Sequence, residues 1–395
     1  MRNLLTLKTR MLSVALMLLC GVSARANDGA YYVSGNQLVP LQETDISIRK
    51  EVLTIYLQDD HFARVDVYYE FWNPGPAAKR LLMGFEAGAP YNCDGLYDPT
   101  SGHPNILDFT VEMNGRRLNF QNAPCVPNTA QRVQLDPSKR YYIDGETGTL
   151  YVEGESTEDE YGNVYVTGDY IEFSYVYYFD AEFQPGLNVV HHTYSYRMSE
   201  LNTLPWLLDY KLTPASRWAG GKIDDFTLVV RADKTAKHFQ IPESTFKGAE
   251  FEVTEGFGKM RVVNNTMDWD KNSPKSYEVS LRNGAVSWHK KDFRPEMELN
   301  IYAMGVDYFQ GISASYDRSS DIFFYFGDEV ETDRAFLKRV IHNMPYAHRG
   351  HVFKDKRLKA YFEGLWWYMP DPNYKDSTSD FTEVDWRYFK GEIEE

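Results

Sequence analysis

The sequence predicts a mainly β protein: an antiparallel β-sandwich body, built as one or two sandwiches, followed by a small α-helical C-terminal domain. Three observations carry this. Between residues 45 and 305 apolar and polar residues alternate in short runs bounded by turn signals, the period of strands with one buried face. Aromatic residues make up 15% of the chain and include 29 Tyr, a composition that suits half-buried pleated surfaces better than helical bundles. After residue 330 the apolar spacing changes to three and four, the period of an amphipathic helix.

At the N-terminus Arg2, Lys8 and Arg10 precede the apolar run 11–19, and Ala24-Arg25-Ala26 has the small-x-small form of a cleavage site. Residues 1–26 therefore read as a signal peptide. The apolar run falls short of the roughly 20 residues a bilayer core demands, so no transmembrane helix is expected in the mature chain. Cys20 leaves with the leader, and the bulky Leu19 before it argues against lipid attachment. Cleavage removes four cations and no acid, so the formal charge of −15 becomes more negative by four, which excludes nucleic acid as a natural partner. What remains exceeds one ordinary core. The expected division is a first β domain at 27–195, a second at 196–305, a linker at 306–329 and a helical domain with its tail at 330–395.

Within the body, 46–73 reads as two strands broken at Asp59-Asp60-His61, and Asn73-Pro74-Gly75-Pro76 ends the second because proline cannot donate to a ladder. Segments 81–85 and 106–113 follow, with Asn114-Gly115 turning into 116–120. Further strands are expected at 149–152, 164–179, 187–196, 226–231, 251–254, 259–263, 277–281 and 297–303. Between Tyr141 and Tyr196 there is no Lys or Arg. The acids Glu155, Glu158, Asp159 and Glu160 read as a solvated hairpin tip, since they lack the spacing of a calcium loop. His191-His192 lie on opposite faces of a strand and do not form a chelating pair.

Two cysteines survive cleavage, Cys93 and Cys125, and in an exported chain they are expected to form a disulfide. His103 stands ten residues after Cys93, but nothing in the sequence marks a thiol activated for nucleophilic work. No H-E-x-x-H, P-loop, dinucleotide fingerprint or G-x-S-x-G elbow occurs, so no cofactor, no metal and no catalytic residue is assigned.

From Asn27 to about Ala303 the chain resembles a family of exported bacterial proteins to which no activity is assigned. The marks are Asp45-Ile46-Ser47-Ile48, Glu51-Val52-Leu53-Thr54-Ile55, Phe71-Trp72-Asn73-Pro74 and the stretch from Tyr210-Lys211-Leu212 through Trp218-Ala219-Gly220-Gly221 to Asp225-Phe226-Thr227-Leu228-Val229-Val230. The resemblance implies antiparallel β structure. Trp218, before a glycine pair, reads as a core plug at a turn. Asn343-Met344-Pro345-Tyr346-Ala347-His348-Arg349-Gly350, with Phe353, Leu358, Tyr361-Phe362 and Trp366-Trp367-Tyr368, resembles the YARHG domain over about 330–370. That likeness implies an extracellular bacterial module. Here His348-Arg349 reverses the family order and Pro345 precedes the Tyr, departures that imply either a kinked first helix or a function drifted from the family's.

Read from its residues, the module makes two helices. Thr332 or Asp333 caps the first, with Phe336, Leu337, Val340, Ile341 and Met344 as its apolar stripe; Asp355 caps the second, with Leu358, Tyr361, Phe362 and Leu365. So small a core is expected to lean on the β body or on the aromatic tail at Trp386, Tyr388 and Phe389. Between Arg334 and Ala360 eight Lys/Arg stand against one acid, Asp355. Arg339, His348, Arg349, Lys354, Lys356 and Arg357 are the candidate anion-binding set, for an envelope polymer or lipid headgroups; the alternative is a solvated helix face that docks on the acidic β body. His342, His348 and His351 lack a carboxylate or thiolate at ligand spacing and do not read as a metal site. The function expected is a non-catalytic, exported binding or structural protein of the cell envelope, periplasmic or at the cell surface. The alternative is an envelope hydrolase with a dispersed carboxylate pair. Sequence leaves the oligomeric state open.

Overall fold

The computed structural model describes residues 27–391 except 35–36, 42–44, 59–61, 88–89, 91–94, 99–101, 127–130, 146, 155, 159–163, 167, 202–203, 233–236, 245, 265–273, 305–312, 318–320, 327–328 and 331–332. The fold is mainly β, with a small helical domain at the C-terminal end. The signal peptide, the Asp59-Asp60-His61 turn, Cys93, and Glu155, Asp159 and Glu160 lie outside the described residues.

A closed six-stranded barrel runs through Asn27–Ser34, Gln37–Leu41, Gln131–Arg132, Gln121–Val126, Ser174–Phe183 and Lys79–Ala87, and the last pairs back to the first. A twelve-stranded sheet carries most of the remaining strands. Its centre is Ser47–Leu57, flanked by Phe62–Asn73 on one side and Ile223–Ala232 on the other. The expected 46–73 hairpin is present, with Ile55 opposite Val65 and Leu53 opposite Val67. Asn73 fixes its end: the side-chain amide donates to the carbonyls of Ala77 (3.1 Å) and Phe183 (3.0 Å), and Oδ1 accepts from the Gly75 N–H (2.9 Å).

Barrel and sheet face each other. Tyr177 of the barrel stacks on Phe109 of the sheet (4.7 Å between ring centres), and Phe183 meets Phe71 edge-on (5.4 Å). Trp218 fills the end of this layer against Phe71 (4.7 Å), almost wholly buried, and Gly220 (φ +83°) and Gly221 (φ +60°) make the turn beyond it. One pairing departs from the antiparallel expectation. Ser47–Leu57 and Ile223–Ala232 run parallel, with Leu53 beside Leu228 and Ile55 beside Val230, so residues expected in two β domains share one sheet and one core extending from Ile46 to Ile301. The stretch 306–329 contains the strands Ser313–Asp317 and Asp321–Phe326, which pair with each other.

Among the described residues three α-helices follow the strands: α1 (Arg334–His348), α2 (Lys356–Glu363) and α3 (Glu383–Lys390). Asp333 caps α1 by accepting the Phe336 N–H, and Asp355 caps α2 by accepting those of Arg357 and Leu358, which satisfies amides that a helix start leaves open. Pro345 does not end α1, which runs on to His348. The expected stripe of Phe336, Leu337, Val340, Ile341 and Met344 packs with Leu358, Phe362, Trp367 and Tyr368 in one buried cluster. No helix among the described residues is long and apolar enough to cross a membrane.

Candidate functional site

The strands Lys237–Pro242, Lys275–Phe293 and Glu252–Asn264 lie side by side with two chemically different faces. Phe239, Ile241, Val279 and Leu281 point into the core. The alternate residues place His238 and Lys259 beside Ser280, and Gln240 and Arg261 beside Glu278, on the opposite face. A polar sheet face ordinarily meets water. Here His238, Gln240, Ser276, Glu278 and Ser280 are buried, and the helical module meets this face at His238 and Arg261.

Basic side chains of the body hold the module down. Lys259 Nζ donates to the carbonyls of Trp366 (3.1 Å) and Tyr368 (2.8 Å), and Arg282 Nη1 donates to that of Met369 (2.8 Å). The Arg282 Nη2 also meets Asp371 (3.2 Å), while its guanidinium lies over Phe257 (3.9 Å). Arg261 pairs with Glu278 and covers Trp366 (4.4 Å), a cation over an aromatic face. His238 from the body and His348 from the module approach to 5.9 Å, with the Trp367 ring 4.7 Å from His348. Burial pushes His238 well below its ordinary pKa and lowers His348 to about 4, so both imidazoles are neutral near pH 7.

Each residue of the Tyr346-to-Gly350 motif has a packing role at this seam. Tyr346 meets Phe381 (5.3 Å), and Ala347 is buried at the α1 end. His348 faces the body, while Arg349 faces the tail. Gly350 has φ +86°, and a Cβ there would stand 2.2 Å from Arg282 Nη1 and 2.8 Å from the Met369 carbonyl, so only glycine fits the turn and the close approach. Arg349 is the hub: it pairs with Asp385 (2.7 Å) and Asp380 (3.1 Å), donates to the Pro345 carbonyl (3.0 Å) and lies over Phe381 (4.8 Å). Burial opposes its charge, but these partners raise its pKa and lower that of Asp385.

The other candidate anion ligands are likewise drawn into the module. Arg339 pairs with Asp355 (2.7 Å), and Arg357 pairs with Asp333 while covering Phe336 (3.8 Å). Lys354 and Lys356 are exposed, with no ion pair among the described residues. The six do not converge on one point. The three histidines part company too: His342 bonds the Phe389 carbonyl (2.7 Å), His348 faces Trp367, and His351 bonds Asp376 (2.6 Å). His103 is buried, with Nδ1 accepting the Asn105 N–H (3.0 Å). His191 bonds Asp66 (2.9 Å) while His192 lies in an aromatic core, on opposite faces as the alternation requires.

The module leans on both body and tail. Sequence reasoning missed the anchors Lys259, Arg282 and His238, and it missed α3, whose capping box joins Thr382 to Asp385. That Thr-x-x-Asp spacing was the available signal.

Among solved structures, the chain is similar to a proposed nutrient-binding protein from Legionella pneumophila, at 15% identity and TM-score 0.43, over 90% of this chain and 96% of that one. It is also similar to an M1 zinc metallopeptidase from Deinococcus radiodurans, at 9% identity and TM-score 0.25, over 77% of this chain and 54% of that one. No curated protein matches the chain in sequence. Residues 338–390 match the YARHG domain, and they span the end of α1, all of α2 and α3, and the whole set of contacts that Arg349 makes.

Proposed function

We propose that the protein is an exported, non-catalytic binding protein of the cell envelope, periplasmic or at the cell surface, in which the helical module is a cap docked on the β body. The observation that carries this reading is the sealed polar face, held by Lys259 and Arg282 and closed by His348 and Trp367. Cleavage after Ala26 would leave the barrel strand Asn27–Ser34 as the first element of the mature chain. A hydrolase built on two carboxyls needs one with a raised pKa to act as acid. Asp136, Glu182, Glu255, Asp292, Asp333 and Asp355 are displaced downward by the hydrogen bonds they accept, and Asp385 is held down by Arg349 against its burial, so none of these seven is such an acid.

In this reading Lys354 and Lys356 contact the anionic partner, a polymer or lipid headgroup, because they project from the module with their charge uncommitted. Arg349 and Arg357 are unsuitable probes, since removing either disturbs the module itself. The double variant Lys354→Ala/Lys356→Ala is expected to bind vesicles of anionic lipid about 2 kcal/mol more weakly, roughly thirtyfold, at low salt. The difference shrinks at physiological ionic strength, where the Debye length is about 8 Å. Equal binding by the variant and the parent chain would remove the anionic partner from this proposal.

The Cys93–Cys125 disulfide is part of the same proposal. In the structure Cys125 is a buried thiol on the barrel strand Gln121–Val126, its Sγ donating to the Ala123 carbonyl (3.7 Å), and Cys93 lies outside the described residues, so the bond stands as a proposal drawn from the sequence. Thiol titration of the unfolded, unreduced mature protein is expected to find no reactive thiol; two per chain would show that the bond does not form.

A further inference from the structure

A small four-stranded sheet carries an aromatic row. The strands lie in the order Ile171–Glu172, Thr149–Val152, Tyr141–Asp144, Gly95–Leu96. Its inner face is apolar and buried, through Ile143 and Leu150. On the outer face Tyr142 stands opposite both Tyr151 and Leu96. The Tyr142 and Tyr151 rings are nearly parallel (21°) with centres 5.9 Å apart, too far for face-to-face contact, so they lie offset beside one another. Tyr170 continues the row, 6.3 Å from Tyr151 and turned edge-on at 70°. The three tyrosines are half-buried to exposed, and Leu96 and Tyr170 at the two ends are 49% and 47% exposed.

Strand geometry gives this row a length and a companion. Neighbouring strands are ~4.8 Å apart, so a row crossing four of them spans about 14 Å. Two residues along the strands, about 7 Å away, the same face carries a second row: Asp144 is paired with Thr149, and Thr149 with Glu172. Tyr142 Oη also donates to Glu153 (3.4 Å), at the edge of the aromatic row. An elongated aromatic strip therefore runs beside a row in which Glu172 is exposed, Asp144 is half-buried with Oδ1 accepting the Thr147 N–H (3.1 Å), and Thr149 is buried against Thr147 Oγ1 (2.7 Å). No Lys or Arg occurs between Tyr141 and Tyr196, and the flanking Arg140 is occupied by Glu153 (3.1 Å).

We propose that this face binds a linear, uncharged glycan, with sugar rings laid on Tyr142, Tyr151 and Tyr170 and hydroxyls donating to Asp144 and Glu172. The chemistry selects that class. Pyranose rings present a flat C–H face to an aromatic ring and hydroxyl donors at the rim, which the two rows match. Polyanions are repelled by the carboxylates Asp144 and Glu172. The site belongs to the binding function proposed above but is separate from the module's lysines, and it responds differently to salt: a neutral ligand releases no counterions.

The test uses the mature full chain with cellohexaose and chitohexaose, titrated calorimetrically at low and at physiological salt. Binding of at least one is expected, unchanged by salt, and oligogalacturonate of equal length is expected not to bind. Tyr151→Ala should weaken binding by about tenfold or more. Tyr170→Ala, at an exposed ring outside the strand ladder, should weaken it as well without disturbing the fold, which a circular-dichroism melt verifies. Binding of neither neutral hexaose overturns the proposal, as does binding that Tyr170→Ala and Tyr151→Ala leave unaltered in folded protein; the tyrosines would then serve only as cross-strand pairs.

Discussion

Replacing Arg349 by Ala is expected to unfold the C-terminal module while the β body stays folded. The guanidinium joins three separate pieces of chain: the end of α1 through the Pro345 carbonyl, the loop before α3 through Asp380 and Phe381, and α3 itself through Asp385. Arg349 and Asp385 each keep only 10% of their side-chain surface exposed. Removing one partner of a buried pair typically costs 3–5 kcal/mol, because the remaining charge stays in a poor solvent. The cluster of Phe336, Leu337, Val340, Ile341, Met344 and their partners is small, and a loss of that size exceeds the margin so small a core supplies. Limited proteolysis of the mature chain reads the outcome: rapid cleavage within 334–390 while a fragment containing 46–304 persists. Arg349→Lys should fall between, since it keeps the charge and loses the fork that reaches Asp380 and Asp385 together. Proteolysis of Arg349→Ala at the parental rate would mean that the module does not depend on this hub.

The helices were legible in the sequence because their determinants are local. Asp333 and Asp355 cap where a short polar side chain precedes an apolar three-four spacing, and the buried stripe is the one the spacing names. The strands were legible for the same reason, since alternation decides which side of each is buried. Their neighbours were not. Leu53 and Leu228 lie 175 residues apart, and alternation in either stretch is the same whether its partner runs parallel or antiparallel. Barrel closure through Asn27–Ser34 and Lys79–Ala87 is equally non-local.

The basic stretch shows the same limit in charge rather than shape. Eight cations against one acid is a correct count over 334–360, but Asp376, Asp380 and Asp385 come back to His351 and Arg349 from 25 to 36 residues further on. A charge excess inside a window becomes a surface only if no downstream acid folds onto it. Lys259 and Arg282 gave no local sign at all: each sits on a strand as an ordinary outward residue, and becomes an anchor because the module covers that face.

Acidification from pH 7 to about 4.5 is expected to loosen the module from the body before Asp333, Asp355 and Asp385 take up protons. His238 faces His348 and Trp367 across the seam, with Lys237 beside it; His348 also faces Arg349 and Asp385. Burial, the larger cause for both, and the neighbouring cations lower their pKa values, while Asp385 partly restores that of His348. In a released module both imidazoles return toward the ordinary value near 6.5. Below that pH the released state takes up protons that the docked state refuses. The docking free energy is therefore complete above pH 6.5 and falls as the pH drops toward about 4, where His348 accepts a proton even when docked. The carboxylates Asp333, Asp355 and Asp385 are also displaced downward, but from an ordinary value of 3.8, so their contribution is lost only below the ordinary carboxylate range, and the two windows separate. Discounted for the solvent that reaches His348, the loss by pH 4.5 amounts to about 1–3 kcal/mol. Hydrogen exchange on the mature chain measures it at the Asp371 amide, which donates to the Gly350 carbonyl (2.7 Å) where Arg282 holds the turn. After correction for intrinsic rates, protection there should drop between pH 7 and 4.5, and His348→Gln should flatten that drop. Equal protection at the two pH values in the parent chain would show that the imidazoles do not govern the seam.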